Sequence, residues 1–191
     1  CITLVTFMEV HCLCLAVAVY LFSLLLGIRA QESGPYNVIL ETIKDCDDKG
    51  TGEIYVTSTA RTDNGKVYHT GDLHMPYGLR DKNFNAEGDA SIWRDGGWKP
   101  IGLISKFTFS KACSGMKRLV PIWFGILKAA GVTNLDCMIP KGSYHFVDYH
   151  IGGSLRISNT MKYGKYRAQL RFTRQGKKIG CISYFAQMVP K

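Results

Sequence analysis

Several chemistries are missing from this sequence. It has no G-x-S-x-G, no H-E-x-x-H and no glycine-rich loop ahead of a lysine, so the usual signatures of serine hydrolysis, zinc proteolysis and phosphate cradling are absent. There is no C-x-x-C, and no cysteine and histidine stand at ligand spacing, so neither a metal site nor a cofactor is expected. No N-x-S/T triplet occurs, and N-glycosylation is not expected. Acidic residues are also scarce, with 15 Asp and Glu against 24 Lys and Arg, a formal net charge of +9. That balance favours anionic partners such as acidic membrane surfaces, or else serves solubility.

Long apolar runs are scarce too. The one that exists, Cys12 to Leu26, falls short of the roughly 20 residues that a membrane-spanning helix needs. It ends in Gly27-Ile28-Arg29-Ala30 ahead of polar Gln31-Glu32-Ser33, the outline of a signal peptide cleaved after Ala30. Met8 is the expected initiator, with Cys1 to Phe7 upstream of it. Residues 1–30 are therefore read as leader, and 31–191 as a single secreted, extracellular domain. The leader carries one charge of each sign, Glu9 and Arg29, so the basicity belongs to that domain. Cys1, Cys12 and Cys14 go with the leader, leaving Cys46, Cys113, Cys137 and Cys181. An even count in a secreted chain points to two disulfides, and four cysteines allow three pairings.

From Tyr36 onward the pattern is one of strands and turns. Strands are expected over Asn37–Lys44, Glu53–Arg61, Lys66–His74, Phe84–Arg94, Trp98–Phe109, Ser143–Ile151, Lys165–Arg174 and Ile179–Val189, all rich in β-branched or aromatic residues. Asp63-Asn64-Gly65 and Asp95-Gly96-Gly97 supply the positive φ that tight hairpins need, and Gln175-Gly176-Lys177 reads as a further turn. Glycines at 88, 102, 152 and 180 interrupt strands, where bulges or close backbone approach are the usual reasons. Strands that do not alternate with helices predict a mainly β protein, an antiparallel cup or sandwich of about eight strands.

One helical segment interrupts this order. Ser110 reads as its N-cap, and Met116, Leu119, Val120, Trp123 and Leu127 keep helical spacing over 111–130, with Pro121 dividing the helix and Gly131 ending it. Ile122, Phe124 and Ile126 fall off that stripe, so the segment is apolar nearly all round. It must meet more than one sheet face: further core, a ligand, a partner or a membrane surface. Flanking Lys117, Arg118 and Lys128 suit an interfacial element. In a cup, the segment is the natural lid. Large aromatics supply the remaining candidates, with Trp93 and Trp98 facing each other across the Asp95 hairpin and Tyr144, Phe146, Tyr149, Tyr166, Phe172, Tyr184 and Phe185 in the last strands. A filled core and a lined pocket both use such residues.

The order of these features resembles the ML-like lipid-recognition superfamily of the ganglioside activator protein, and more closely the insect chemosensory proteins related to it. The likeness is carried by the hairpin into Trp98-Lys99-Pro100, by Ser110-Lys111-Ala112-Cys113, by the apolar helical stretch, by Cys137-Met138-Ile139-Pro140-Lys141-Gly142-Ser143-Tyr144, and by Gly164 to Phe172 with its turn and final strand. The resemblance implies a β-cup around an apolar cavity that holds a lipid or other hydrophobic small molecule, in chemosensation or lipid transfer, without catalytic residues. It supports a Cys46–Cys181 bridge from first strand to last, and the chain order then leaves Cys113–Cys137 to staple the ends of the apolar segment. The expected cavity and lid residues are Trp93, Trp98, Leu119, Ile122, Trp123, Phe124, Ile126, Leu127, Tyr144, Phe146 and Phe172.

Rival functions find thinner support. Asp148 and His150 stand two apart on a predicted strand, as an acid and a base might, but no nucleophile accompanies them. His69 and His74 straddle a strand end and are expected to be exposed. Nucleic-acid binding fits the charge but not a secreted, disulfide-bonded chain. The alternative is a secreted interaction protein that docks on a receptor or enzyme through residues 119–127.

Overall fold

The computed structural model describes residues 33–102, 106–109, 111–151 and 158–191. The expected leader, the Ser110 cap and Gly152 lie outside them. Gly34–Lys191 forms one compact unit, to which the following description refers. Its first three strands are Tyr36–Asp45 (β1), Tyr55–Asp63 (β2) and Lys66–Met75 (β3), followed by Asn85–Arg94 (β4), Gly97–Pro100 (β5) and Lys106–Phe109 (β6). Two short helices, Ala112–Leu119 (α1) and Pro121–Ala129 (α2), precede Gly142–Tyr149 (β7), Gly164–Arg174 (β8) and Lys177–Pro190 (β9).

Three hairpins organise this order through one turn geometry. Asn64 and Gly65, Asp95 and Gly96, and Gln175 and Gly176 all have positive φ, between 48° and 75°. Positive φ at both central residues is the mark of the two-residue turn whose twist matches paired strands. The strands form a six-stranded antiparallel sheet in the order β1-β9-β8-β4-β5, with β6 also on β4, and a three-stranded sheet β2-β3-β7. The strand expected over Trp98–Phe109 is split: β5 pairs with Ser91–Arg94 and β6 with Ala86–Asp89. Gly88 makes this edge possible, because a Cβ there would lie 1.9 Å from the Phe107 ring.

The two sheets form an open, mainly antiparallel sandwich around one apolar core. One side is tied by backbone, since Ile54, just ahead of β2, donates its N–H to the Ile179 carbonyl at 2.9 Å. Gly180 permits this approach, because a Cβ there would meet the Ile54 carbonyl oxygen at 2.4 Å. The cysteines pair as expected, Cys46–Cys181 and Cys113–Cys137, with sequence separations of 135 and 24. Loops of those lengths correspond to about 5 and about 3.5 kcal/mol in the chain-entropy model.

The helical segment divides at the expected residue. Val120 leaves the helical region at φ −129°, ψ 59°, and Pro121 then opens α2 at a first-turn position, where its missing N–H costs nothing. Gly131, at φ +81°, ends α2. The N-terminus of α1 departs from expectation: Lys111 holds the cap position and its side chain makes no capping bond. The cap comes from elsewhere. The Asp81 carboxylate accepts the Ser114 N–H at 2.8 Å and the Ser114 hydroxyl at 2.7 Å. Those hydrogen bonds hold the Asp81 carboxyl below its ordinary pKa. Among the described residues, no helix is long and apolar enough to cross a membrane.

Candidate ligand cavity

The inner face of the six-stranded sheet carries bulky side chains at Ile92, Leu170, Phe172 and Ile182, all buried. Three alanines interrupt them. Ala90 on β4 lies opposite Ala168 on β8, and Ala186 on β9 lies opposite Tyr166. Ala90 falls where β5 has ended and β6 has not begun, so Ile101 and Phe107 flank it from the broken edge. Three methyl groups in place of branched side chains leave a hollow of about 230 Å³. Its roof is the junction between the helices, Leu119 to Ile122, and Val38, Leu40, Ile151, Met161, Leu170 and Met188 complete its sides. The volume exceeds the roughly 150 Å³ of a dry engineered cavity that takes benzene. It falls below the roughly 300 Å³ at which sites for drug-sized molecules begin.

Polar groups around the hollow are few. Arg167 and Gln169 border it, but strand alternation sends their side chains to the opposite face of the sheet. There the Arg167 guanidinium lies 5.0 Å from the Trp98 ring centroid, and Gln169 donates to Ser183 Oγ at 3.0 Å. Two phenols remain on the cavity side. Tyr166 donates its hydroxyl to the Lys162 carbonyl at 2.7 Å. The Tyr184 hydroxyl is buried and has no hydrogen-bond partner. Burial raises the pKa of both phenols above the ordinary value, so both stay neutral.

Of the residues expected to form cavity and lid, Leu119 and Ile122 line the hollow. Leu119 is 48 % exposed at its outer edge. Trp123, Phe124, Ile126 and Leu127 are buried core instead, and Trp123 packs on Phe172 with ring centroids 5.2 Å apart. Phe146 is fully buried on β7, and Tyr144, half-buried, donates its hydroxyl to the Pro140 carbonyl. Trp93 and Trp98 belong to the outer face of the large sheet, where they stack edge-to-face and Trp98 meets Phe185. Alternation is the reason: Trp93 shares a face with Ser91 and Asp89, and the hollow is lined from the other face, by Ala90. Among the wall residues not expected from the sequence are the three alanines, Ile101, Phe107 and the two tyrosines.

Other candidate chemistries come apart in the structure. Asp148 sits at a break in strand register with φ +51° and pairs with Arg61 at 3.1 Å, whereas His150 lies beyond the strand with Nδ1 2.9 Å from the Val67 carbonyl. They do not face one another as an acid–base pair. His69 is fully buried rather than exposed, with Nε2 3.0 Å from the Leu40 carbonyl and Nδ1 3.3 Å from Ser58 Oγ. A carbonyl can only accept, so Nε2 carries the proton. Asp81, Cys113 and Cys137 come within 4.8 Å of one another, but both sulfurs are spent on the disulfide and offer no thiolate to a metal.

A second concavity of about 700 Å³ is open, and Lys82, Lys141 and Arg174 make it cationic. On β8 the hollow is lined as far as Leu170 and this concavity begins at Thr173, which alternation places on the opposite face of the sheet; the two share no lining residue. Compared with protein-family models and with curated proteins, the chain returns no match.

Proposed function

We propose that this protein is a secreted, non-enzymatic carrier that holds a lipid or other hydrophobic small molecule in the hollow beneath the helix junction. The observation that carries this reading is a cavity walled by apolar side chains within the core. Native interiors rarely keep voids much larger than a water molecule, because each forfeits packing. A hollow lined by three alanines, where larger residues would fit, is explained by an occupant. The two disulfides fit the extracellular setting. The resemblance to lipid-recognition proteins points the same way, toward chemosensation or lipid transfer. The cationic groove at Lys82, Lys141 and Arg174 is the surface on which we place a transient contact with anionic membranes.

The interaction-protein alternative loses support, since Ile122, Trp123, Phe124, Ile126 and Leu127 are buried and unavailable for docking. The carrier reading is tested by native mass spectrometry of the purified protein for co-purifying ligand mass, then by uptake of several lipid classes. Ala168→Leu should fill the hollow and abolish uptake while leaving the protein folded. No uptake by the wild type across those classes, or full uptake by Ala168→Leu, would sink the proposal. Secretion is tested separately by the N-terminus of protein recovered from culture medium, expected at Gln31.

A further inference from the structure

The cationic groove is assembled from three separate stretches of chain. Lys82 comes from the loop between β3 and β4, Lys141 from the residue ahead of β7, and Arg174 from the end of β8. Backbone hydrogen bonds fasten the first two stretches together. Leu79 donates its N–H to the Ile139 carbonyl at 3.0 Å, and Ile139 returns the bond to the Leu79 carbonyl at 3.2 Å. Gly78, at φ +66°, permits this contact, because a Cβ there would lie 2.4 Å from the Ile139 oxygen. Asn83 donates its side-chain amide to the Tyr77 carbonyl and closes the loop on itself. Arg174 is held against the same loop, with its guanidinium 4.3 Å from the Tyr77 ring centroid.

The positive charge gathered there is not balanced by acids. Among the described residues, no carboxylate lines the groove, and neither Lys82 nor Lys141 takes part in an ion pair. Asp81, next to Lys82 in sequence, is engaged by Ser114. The acid that feels Arg174 is Glu53. Hydrogen bonds from Tyr77 and Thr51 hold its carboxyl below the ordinary pKa, and the charges of Arg174 and Lys177 add to that effect. One carboxylate against two cations leaves an excess. Like charges held close repel, and an anion between them removes that cost. A phosphomonoester carries about −1.5 to −2 at neutral pH, which suits three cations better than a single carboxylate does. A guanidinium whose face is packed keeps its edge N–H groups for an oxyanion. The groove, at about 700 Å³, has room for more than a phosphate group. Asn85 and Thr173, paired across β4 and β8, put an amide and a hydroxyl on its wall for the body that carries the phosphate.

We infer that the groove is a binding site for a phosphomonoester on a small polar body, with Arg174 gripping the phosphate and Lys82 and Lys141 flanking it. A lipid headgroup and a free small molecule both offer that chemistry. The inference deepens the membrane contact placed on this groove and does not depend on the hollow. The test uses two probes with the same phosphate at pH 7.5: glycerol 3-phosphate in solution, and phosphatidylcholine vesicles carrying phosphatidic acid. Vesicles carrying phosphatidylglycerol at equal surface charge are the control. Wild type should bind at least one of the two probes, and Arg174→Gln should weaken that binding about tenfold. Lys82 and Lys141 are both exposed, so replacing the two together with Gln leaves the Tyr77 packing alone and should cost a similar factor, while Lys99→Gln, outside the groove, should change little. Glycerol 3-phosphate bound without vesicles assigns the site to a soluble ligand, and phosphatidic acid vesicles bound in preference to the control assign it to a headgroup; either result supports the inference. Equal binding to both kinds of vesicle with none to glycerol 3-phosphate would overturn it and leave a membrane contact made by charge alone. Affinity unchanged in both groove variants would overturn it too, and no binding of either probe would remove the membrane contact with it. Urea unfolding of each variant shows that any loss is not a loss of fold.

Discussion

Tyr166→Phe and Tyr184→Phe delete the same oxygen from adjacent strands of one cavity wall, and the structure assigns them opposite signs in the ligand-free protein. Tyr166 gives up a hydrogen bond of 2.7 Å to the Lys162 carbonyl. Losing such a bond costs about 1 kcal/mol net, more if the carbonyl is left dry. Tyr184 gives up nothing, because its hydroxyl is unpaired. A buried donor without a partner costs about 1–3 kcal/mol, of which the deleted oxygen's packing contacts return a part. Tyr184→Phe should therefore be stabilised by about 1 kcal/mol and Tyr166→Phe destabilised by a similar amount. For a domain of this size each shift moves Tm by roughly 2–4 °C, in opposite directions. Urea unfolding followed by tryptophan fluorescence suits the measurement, since Trp123 is fully buried against Phe172 and reports on the core. Equal destabilisation by the two substitutions would mean that the Tyr184 hydroxyl is paired in solution, and would refute the assignment of opposite signs.

Two further expectations follow from buried contacts. His69 is buried, and desolvation holds its pKa below the ordinary value of 6.5, so between that value and the lower folded one the unfolded chain binds more protons than the native state. Stability should fall as pH drops below about 6.5, and urea midpoints at pH 7.5 and pH 5 should differ more in wild type than in His69→Gln; an identical pH dependence would refute this. Gly88→Ala places a methyl group 1.9 Å from the Phe107 ring, which must move. We expect a loss of about 1–3 kcal/mol by chemical denaturation, partly restored when Phe107→Leu is added, and strictly additive effects would count against the contact.

What was legible in the sequence was local. The three turns were written in their own dipeptides, Pro121 and Gly131 carry their helix-breaking chemistry with them, and strand extents follow from β-branched and aromatic runs. What was hidden depends on which face turns inward. His69 shares the parity of Leu73 and Met75 on β3, both buried, and that parity was the available signal for its burial. Trp93 and Trp98 gave the reverse error, since large aromatics suggested a pocket while their alternation with Ile92 placed them outside it. Asp148 and His150, two apart in sequence, do not keep strand alternation, because a register break intervenes and period two holds only while the ladder is regular. The hollow itself has no local signal. Ala90, Ala168 and Ala186 are ordinary strand residues until antiparallel pairing brings residues dozens of positions apart into one patch.

The segment over 119–127 drew attention because it is apolar all round, and the structure assigns that property a cause other than a lid. α2 lies between the two sheets, against β7 on one side and Phe172 on the other, so Ile122, Trp123, Phe124, Ile126 and Leu127 are all buried, and the side that carries Pro121, Lys128 and Ala129 meets solvent. Covering the hollow falls instead to the break between the helices. A continuous helix through Pro121 would carry its side chains past the sheet in an unbroken ridge. The proline ends that ridge, Val120 turns out of helical geometry, and Leu119 is left half in solvent above the three alanines. The cavity is thus made by two local weaknesses facing each other, small residues in the floor and a helix break in the roof. Neither weakness stabilises the protein, and under the proposed carrier function both are accounted for by a molecule that fits between them.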